Sequence, residues 1–208
     1  IPRFRISSIE PNLLTEEMID FILNSEKFNP HFHIPLQSGS DKILKDMKRR
    51  YNTNLYYDRV SYIRKKSKYA CIGSDVIVGF PTESDFLFNE TKEFIESLDI
   101  NYLHVFPYSD REKASASLIK NKPKNCDIKE RSKTLRLISD QKNKFFINQN
   151  INKELVVLFE GYDGRYASGF TENYIKVNIE GSCDLINSLH AVEIKKIIKG
   201  NVFGEFSS

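Results

Sequence analysis

In HFHIPLQSG, residues 31–39, Phe32, Ile34 and Leu36 share one parity, while His31, His33, Pro35 and Gln37 share the other. This is the period-two signature of a strand with one apolar face. Ser38, Gly39 and Ser40 then make a short turn with an N-cap residue, and a helix is predicted to begin near Asp41. The same order of β-rich run, polar turn and helical segment recurs at RFRISSIEP (3–11), ACIGSDVIVGFP (70–81) and NYLHVFPYS (101–109). Between the runs lie helical stripes, Met18, Ile19, Ile22 and Leu23 in one segment and Phe86, Phe88, Phe94, Ile95 and Leu98 in another. Strands alternating with helices predict a parallel sheet with right-handed crossovers, and four such units are half of an eight-fold (βα) barrel.

In a barrel of that kind, outward strand residues pack on helices and inward ones line the lumen, with the active site at the carboxyl ends. Parity places Val76, Val78, Leu103 and Val105 outward. It places His33, Gln37, Asp75, Ile77, Gly79, His104, Phe106 and Tyr108 inward. Gln37 and Ser38 fall where a strand ends and a helix starts, a favoured place for chemistry in parallel α/β folds. A lone inward histidine is more often a hydrogen-bonded core residue than a catalyst, which is the bland account of His33 and His104.

A basic helix, DIKERSKTLRLISDQKNKFFINQN, closes this part at about residue 150. From residue 151 the texture changes to short alternating strands separated by Gly, Asn, Asp and Ser, with no helix between them. The expected organisation is therefore an α/β unit over 1–150 and a small antiparallel barrel of about five strands, OB-like, over 151–208.

Charge adds a partner class. The net charge of +3 is mild, yet residues 42–68 carry ten Lys and Arg against two Asp and Glu, and residues 112–148 carry ten against four. Two basic stripes point to a polyanion such as RNA, with Lys65, Lys66, Lys142 and Lys144 as candidate phosphate contacts. The barrel segment carries six basic against eight acidic residues, so charge alone does not draw nucleic acid to it. Tyr162, Tyr166, Phe170 and Tyr174 suit either base stacking or a core. No apolar run approaches the roughly 20 residues that cross a bilayer, and no signal-peptide pattern is present, so a cytoplasmic protein with no membrane partner is expected. Cys71, Cys126 and Cys183 form no CxxC or CxxxCxxC, so no metal site built by this chain alone is expected. Because the chain begins at Ile1, it is expected to be the later part of a longer polypeptide.

HFHIPLQSGSDKILKDMKRRY, SDVIVGFPTES, YLHVFPYSDR and GFTENYIKV, in that order and spacing, resemble the radical S-adenosylmethionine (SAM) methylthiotransferases, in particular the branch that modifies threonylcarbamoyladenosine in tRNA. The resemblance covers nearly the whole chain. It implies the C-terminal half of a partial, TIM-like radical SAM barrel followed by a TRAM domain. It implies two [4Fe-4S] clusters in the parent protein, ligated by residues outside this chain, so that the fragment alone is expected to be inactive. The implied reaction is reductive cleavage of SAM to a 5′-deoxyadenosyl radical, using an electron donor, and insertion of a methylthio group at C2 of the tRNA adenosine; the cofactors supply the hard chemistry.

Carried residue by residue, the resemblance assigns Gln37 and Ser38 to SAM, and Arg49 to its carboxylate, which guanidinium pairs bidentately. It assigns Asp75 and the backbone of Val78, Gly79 and Phe80 to the strand under the adenine, Glu10 to ribose hydroxyls, and Arg111 to the mouth near SAM or tRNA phosphate. Thr82 stands where the family usually has glycine, and Glu112, Lys113 and Ala114 interrupt the usual turn after YSDR. Other readings are a non-catalytic RNA-binding fragment, a methylthiotransferase for another tRNA adenosine or a ribosomal protein, or an unrelated barrel enzyme using His33 and His104 as acid and base.

Overall fold

The computed structural model describes residues 3–109 and 122–207. Helix α1 (Glu16–Asn24) precedes β1 (His31–His33), α2 (Asp41–Asp46), α3 (Thr53–Lys66), β2 (Cys71–Val78), α4 (Asp85–Ser97), β3 (Tyr102–Pro107) and the long α5 (Asn125–Asn148). Then come β4 (Glu154–Tyr162), β5 (Tyr166–Thr171), β6 (Lys176–Glu180), a short 3-10 helix, β7 (Leu189–Ile198) and β8 (Asn201–Phe206). Helix starts follow local chemistry: Thr15, Asn52 and Ser84 each accept a bond from a first-turn N–H of α1, α3 and α4. Ser40 stands at the N-cap of α2 but does not cap it; its hydroxyl donates instead to Glu90 at 2.6 Å.

The first three strands form a parallel sheet in the order β1-β2-β3, with His33 opposite Gly73 and Asp75 opposite His104. Alternation sorts the side chains as expected. Phe32, Ile34, Leu36, Ile72, Val76, Val78, Leu103 and Val105 are buried under α1, α3, α4 and α5, whose Ile19, Ile22, Tyr56, Ile63, Phe88, Ile95, Leu135 and Ile138 complete the core. Burying a side chain of that size stabilises by about 1.5–3 kcal/mol, so this face holds the sheet together. Phe86 is the exception to the expected α4 stripe: it is exposed, and Leu87, Phe88, Thr91 and Ile95 face inward instead.

The run at 3–11 does not form the expected strand. Phe4 bridges Phe28, and Ile9 N–H donates to His33 O, too few bonds to make a ladder. Strand β1 is likewise short: Pro35 has no N–H to give, and Gln37, at φ +66°, turns away after a single bridge to Val76. The far edge of β3 is covered by α5, where Ser139 Oγ accepts from Leu103 N–H at 2.8 Å and donates to Leu103 O at 3.1 Å. A covered edge cannot pair with another chain.

The five later strands close into a barrel ordered β4-β5-β6-β8-β7. The expectation of a purely antiparallel barrel is corrected at one seam, because β6 and β8 run parallel. Leu155, Val157, Phe159, Ala167, Val177, Ile179, Val192, Ile194 and Val202 fill it, joined by Cys71, Phe146 and Ile147 from the sheet and α5. Asn173, fully buried, ties the barrel to the sheet by donating to Tyr69 O and Asn150 Oδ1. Among the described residues no helix is long and apolar enough to cross a membrane.

All three thiols are free; Cys71 is buried, and burial pushes its thiol pKa up, whereas Cys126 and Cys183 are exposed. Native protein treated with a slow alkylating reagent should therefore take two labels by mass spectrometry and a third only on denaturation. Rapid native labelling of Cys71 would mean that the barrel does not seat on the start of β2.

Candidate functional site

The face of the sheet opposite the helices carries His31, His33, Asp75, Tyr102 and His104. Gly73 makes this arrangement: a Cβ there would lie 2.1 Å from the Tyr102 ring, so only glycine lets that ring cross β2. The Tyr102 hydroxyl thereby comes within 2.9 Å of His31 Nε2 and 3.2 Å of His33 Nδ1. His33 Nε2 lies 3.0 Å from Asp75 Oδ1, and His104 Nδ1 lies 3.4 Å from the same oxygen. Burial works against the Asp75 carboxylate, but the hydrogen bonds and charges of His33 and His104 outweigh it and hold its pKa below the usual range. His31, 3 % exposed, is pushed down to about 3, first by burial and then by the neighbouring Arg5 charge. Burial also raises the Tyr102 phenol. Two imidazoles sharing one carboxylate oxygen can move a proton or bind a cation.

The floor of this face is closed by the barrel. Tyr174, at φ +70°, packs its ring 4.3 Å from His31, stacks on Phe170 at 4.8 Å, and lies under the Arg5 guanidinium at 4.3 Å. Two of the four barrel aromatics are thus committed to the junction. Tyr166 packs edge-on against Phe203, and Tyr162 stays partly exposed.

At the carboxyl end of β1, Gln37 N–H donates to Asp75 O, and the Gln37 carboxamide makes no bond to the described residues. Glu10 and Arg49, both expected at SAM, pair with each other at 3.1 Å. Arg49 keeps a buried Nε that finds no acceptor among the described residues. Beside them, Tyr51 donates to Pro35 O and Leu36 O. An orphaned guanidinium donor, a free carboxamide and a half-exposed carboxylate fit the carboxylate and hydroxyls of a SAM molecule.

Other expected SAM residues sit differently. Ser38 is fully buried, and its hydroxyl is 3.0 Å from Thr91 Oγ1 inside the helix layer, so only its backbone is near the rim. Val78 is buried against the helices; its carbonyl accepts from Tyr108 N–H, and Gly79 N–H donates to Glu83 Oε1. The space a Cβ at Gly79 would take is filled by Ile128 of α5, so the close approach at this glycine, φ +85°, is made by a helix. Arg111 lies outside the described residues.

The basic stripes are divided. Lys65 and Lys144 are exposed, whereas Lys66 pairs with Asp20 at 3.0 Å. Lys142 Nζ donates to Leu98 O at 2.7 Å and Glu96 O at 3.2 Å, closing the end of α4, and burial lowers its pKa. Lys144 also lines a cavity of about 790 Å³ between α5 and the β7–β8 hairpin, with Lys195, Lys196 and Lys199.

Sequence reasoning missed Glu83. Only 4 % exposed, it accepts from Arg131 Nη1 at 2.7 Å and from Gly79 N–H, and Arg131 Nη2 reaches Asp85 at 2.6 Å. Burial raises the Glu83 pKa in spite of these partners. The signal was weak because Glu83 and Arg131 are 48 residues apart and belong to separate motifs.

Residues 1–95 match the Radical SAM superfamily. Coproporphyrinogen III oxidase of Escherichia coli, a radical SAM enzyme, has the same fold over 99 % of this chain and 52 % of its own, with a TM-score of 0.58 at 13 % identity. The fold is therefore that of the radical SAM class. Within it, the chain is 41 % identical to the threonylcarbamoyladenosine tRNA methylthiotransferase of Aquifex aeolicus over 87 % of this chain and 43 % of that protein. The Bacillus subtilis protein of the same name is 37 % identical over 94 % and 45 %. The ribosomal protein uS12 methylthiotransferase of Aquifex aeolicus is 35 % identical over 78 % and 38 %. The chain belongs to the radical SAM methylthiotransferase family, and it spans less than half the length of these relatives.

Arg131→Met strands a buried carboxylate, and the expected cost in urea unfolding is on the order of 3 kcal/mol. Adding Glu83→Gln, which keeps an acceptor for Gly79 N–H, should recover a large part of it. Equal destabilisation by the single and double variants would show that the pair does not hold the β2–α4 turn.

Proposed function

We propose that this chain is the SAM- and RNA-facing part of an enzyme that inserts a methylthio group at C2 of N6-threonylcarbamoyladenosine next to the anticodon of tRNA. The observation that carries the reading is the identity of 37–41 % with threonylcarbamoyladenosine tRNA methylthiotransferases over most of the chain. Identity to a tRNA-2-methylthio-N(6)-dimethylallyladenosine synthase of Staphylococcus haemolyticus is 31 %. In this reading residues 1–150 are the C-terminal part of a TIM-like radical SAM barrel and residues 151–208 a TRAM domain of a cytoplasmic protein.

When bound, SAM supplies a radical precursor and a methyl group. Gln37, Arg49 and Glu10 hold and orient it at the carboxyl end of β1, and the backbone of Ser38, Val78 and Gly79 shapes the wall behind it. The three cysteines do not suit an iron–sulfur cluster, since one is buried under the barrel and the other two are exposed on α5 and after β6. Cluster ligands and the contact with an electron donor are therefore assigned outside this chain, which alone is inactive. Lys65, Lys144 and the lysine-lined cavity suit tRNA phosphates.

Nucleoside mass spectrometry of tRNA from cells lacking the gene should show loss of 2-methylthio-N6-threonylcarbamoyladenosine with the dimethylallyl analogue untouched. Loss of the dimethylallyl product, or of the ribosomal protein modification, would transfer the reading to that branch. For the footprint, Lys65→Ala with Lys144→Ala should weaken tRNA binding and flatten its dependence on salt by about two phosphate contacts. Lys142→Met should lower the unfolding temperature instead, and an unchanged salt slope in the double variant would place the RNA elsewhere.

A further inference from the structure

The register of three neighbouring strands brings His33, Asp75 and His104 to one spot on the open face of the sheet, although they are spread over 72 positions. His33 Nε2 and His104 Nδ1 lie 3.0 and 3.4 Å from Asp75 Oδ1, and the three ligand-type atoms are all within 4.8 Å of one another. Ligands about 2.0–2.1 Å from a tetrahedral zinc ion are separated by roughly 3.3 Å, which the two shorter distances bracket. One cation can therefore touch all three atoms after a small rotation of the half-exposed His104 ring.

The surroundings match as well as the distances. A ligating imidazole usually gives its other ring N–H to a polar neighbour that fixes the tautomer. The Tyr102 hydroxyl is 3.2 Å from His33 Nδ1, so when a cation replaces the Nε2 hydrogen now shared with Asp75, that hydroxyl can accept the Nδ1 hydrogen and fix the tautomer. The Tyr102 ring is itself held in place across Gly73. The helix layer backs all three strands, and the remaining coordination position faces the open side of the sheet.

We propose that His33, Asp75 and His104 form a binding site for one divalent first-row transition-metal ion, with an open position for water or a substrate atom. Two imidazoles and one carboxylate suit Zn²⁺, Fe²⁺ or Co²⁺; Mg²⁺ and Ca²⁺ prefer oxygen ligands. The site contains no thiolate, so it is distinct from any iron–sulfur centre, and it goes beyond the methylthiotransferase reading without depending on it. Cysteine spacing could not reveal it.

The test uses the protein at its natural length, stripped with a chelator and titrated with Zn²⁺ by calorimetry and with Co²⁺ by visible absorption. The parent should bind one equivalent more than His104→Ala, that equivalent showing ligand-field bands of a four- or five-coordinate ion without thiolate charge transfer, and Mg²⁺ should not compete; metal held by cysteines outside this chain is common to both proteins and drops out of the difference. His104→Ala and Asp75→Asn should each weaken Zn²⁺ at least about 100-fold, and Tyr102→Phe about 10-fold, as expected for an outer partner. His104→Ala should leave the metal-free unfolding temperature unchanged while abolishing its rise with Zn²⁺, separating lost ligation from lost folding. Cys126→Ser with Cys183→Ser should bind as the parent does. Absence of a stoichiometric site, survival of binding in His104→Ala and Asp75→Asn, or its loss in the cysteine variant alone would overturn the proposal. Loss of tRNA modification in cells tests the enzymatic reading separately, because metal binding is measured without turnover.

Discussion

Strand β2 is hydrogen-bonded along both edges, by β1 and by β3, so its side chains have only two places to go. Ile72, Ser74, Val76 and Val78 go under the helices, and Cys71, Gly73, Asp75 and Ile77 go to the other face. A one-residue slip would exchange the sets and put Asp75 into an apolar layer. The greasy half of the strand thus holds its polar half in position, and the site is a by-product of how the core is buried.

That open face has a floor and a rim with different chemistry. At the floor, Tyr174 of the barrel closes against His31 and Tyr102, and burial keeps His31 neutral around ordinary pH. In the middle, Asp75 is held ionised by its two histidines. At the rim, the Nε of Arg49 has no acceptor among the described residues, the kind of donor a bound small molecule would satisfy. The turn beneath the rim is kept by Arg131, which joins Glu83 and Asp85 and so fastens α5 to the start of α4. A long helix that carries basic charge on the outside therefore also has an electrostatic task inside.

Much of this was legible one residue at a time. Alternation in HFHIPLQSG and NYLHVFPYS sorted His33, His104, Leu103 and Val105 onto their observed sides, because a pleated strand has no other option. The change of texture near residue 151 marked the barrel, since a closed small barrel needs short alternating strands and tight turns. The run at 3–11 looked equally β-rich yet forms only scattered bonds, because strand formation depends on a partner edge that local sequence does not describe. Ser38, Gly79 and Lys142 have the residue types of ligand contacts, but their atoms are taken up by Thr91, Ile128 and the end of α4. Which neighbour claims a polar atom is a long-range matter.

The sequence by itself determined the order of strands and helices, the parity of each strand, and the family, since periodicity and motif spacing are properties of the chain alone. Tertiary structure decided that Asp75 meets both His33 and His104, that Gly73 makes room for Tyr102, and that Glu83 is paired with Arg131. These contacts join residues 29 to 48 positions apart, so they exist only after strands have registered and helices have packed. The physical reason is that hydrophobic burial is set locally by pattern, whereas the fate of a polar group depends on whichever distant partner folding delivers to it.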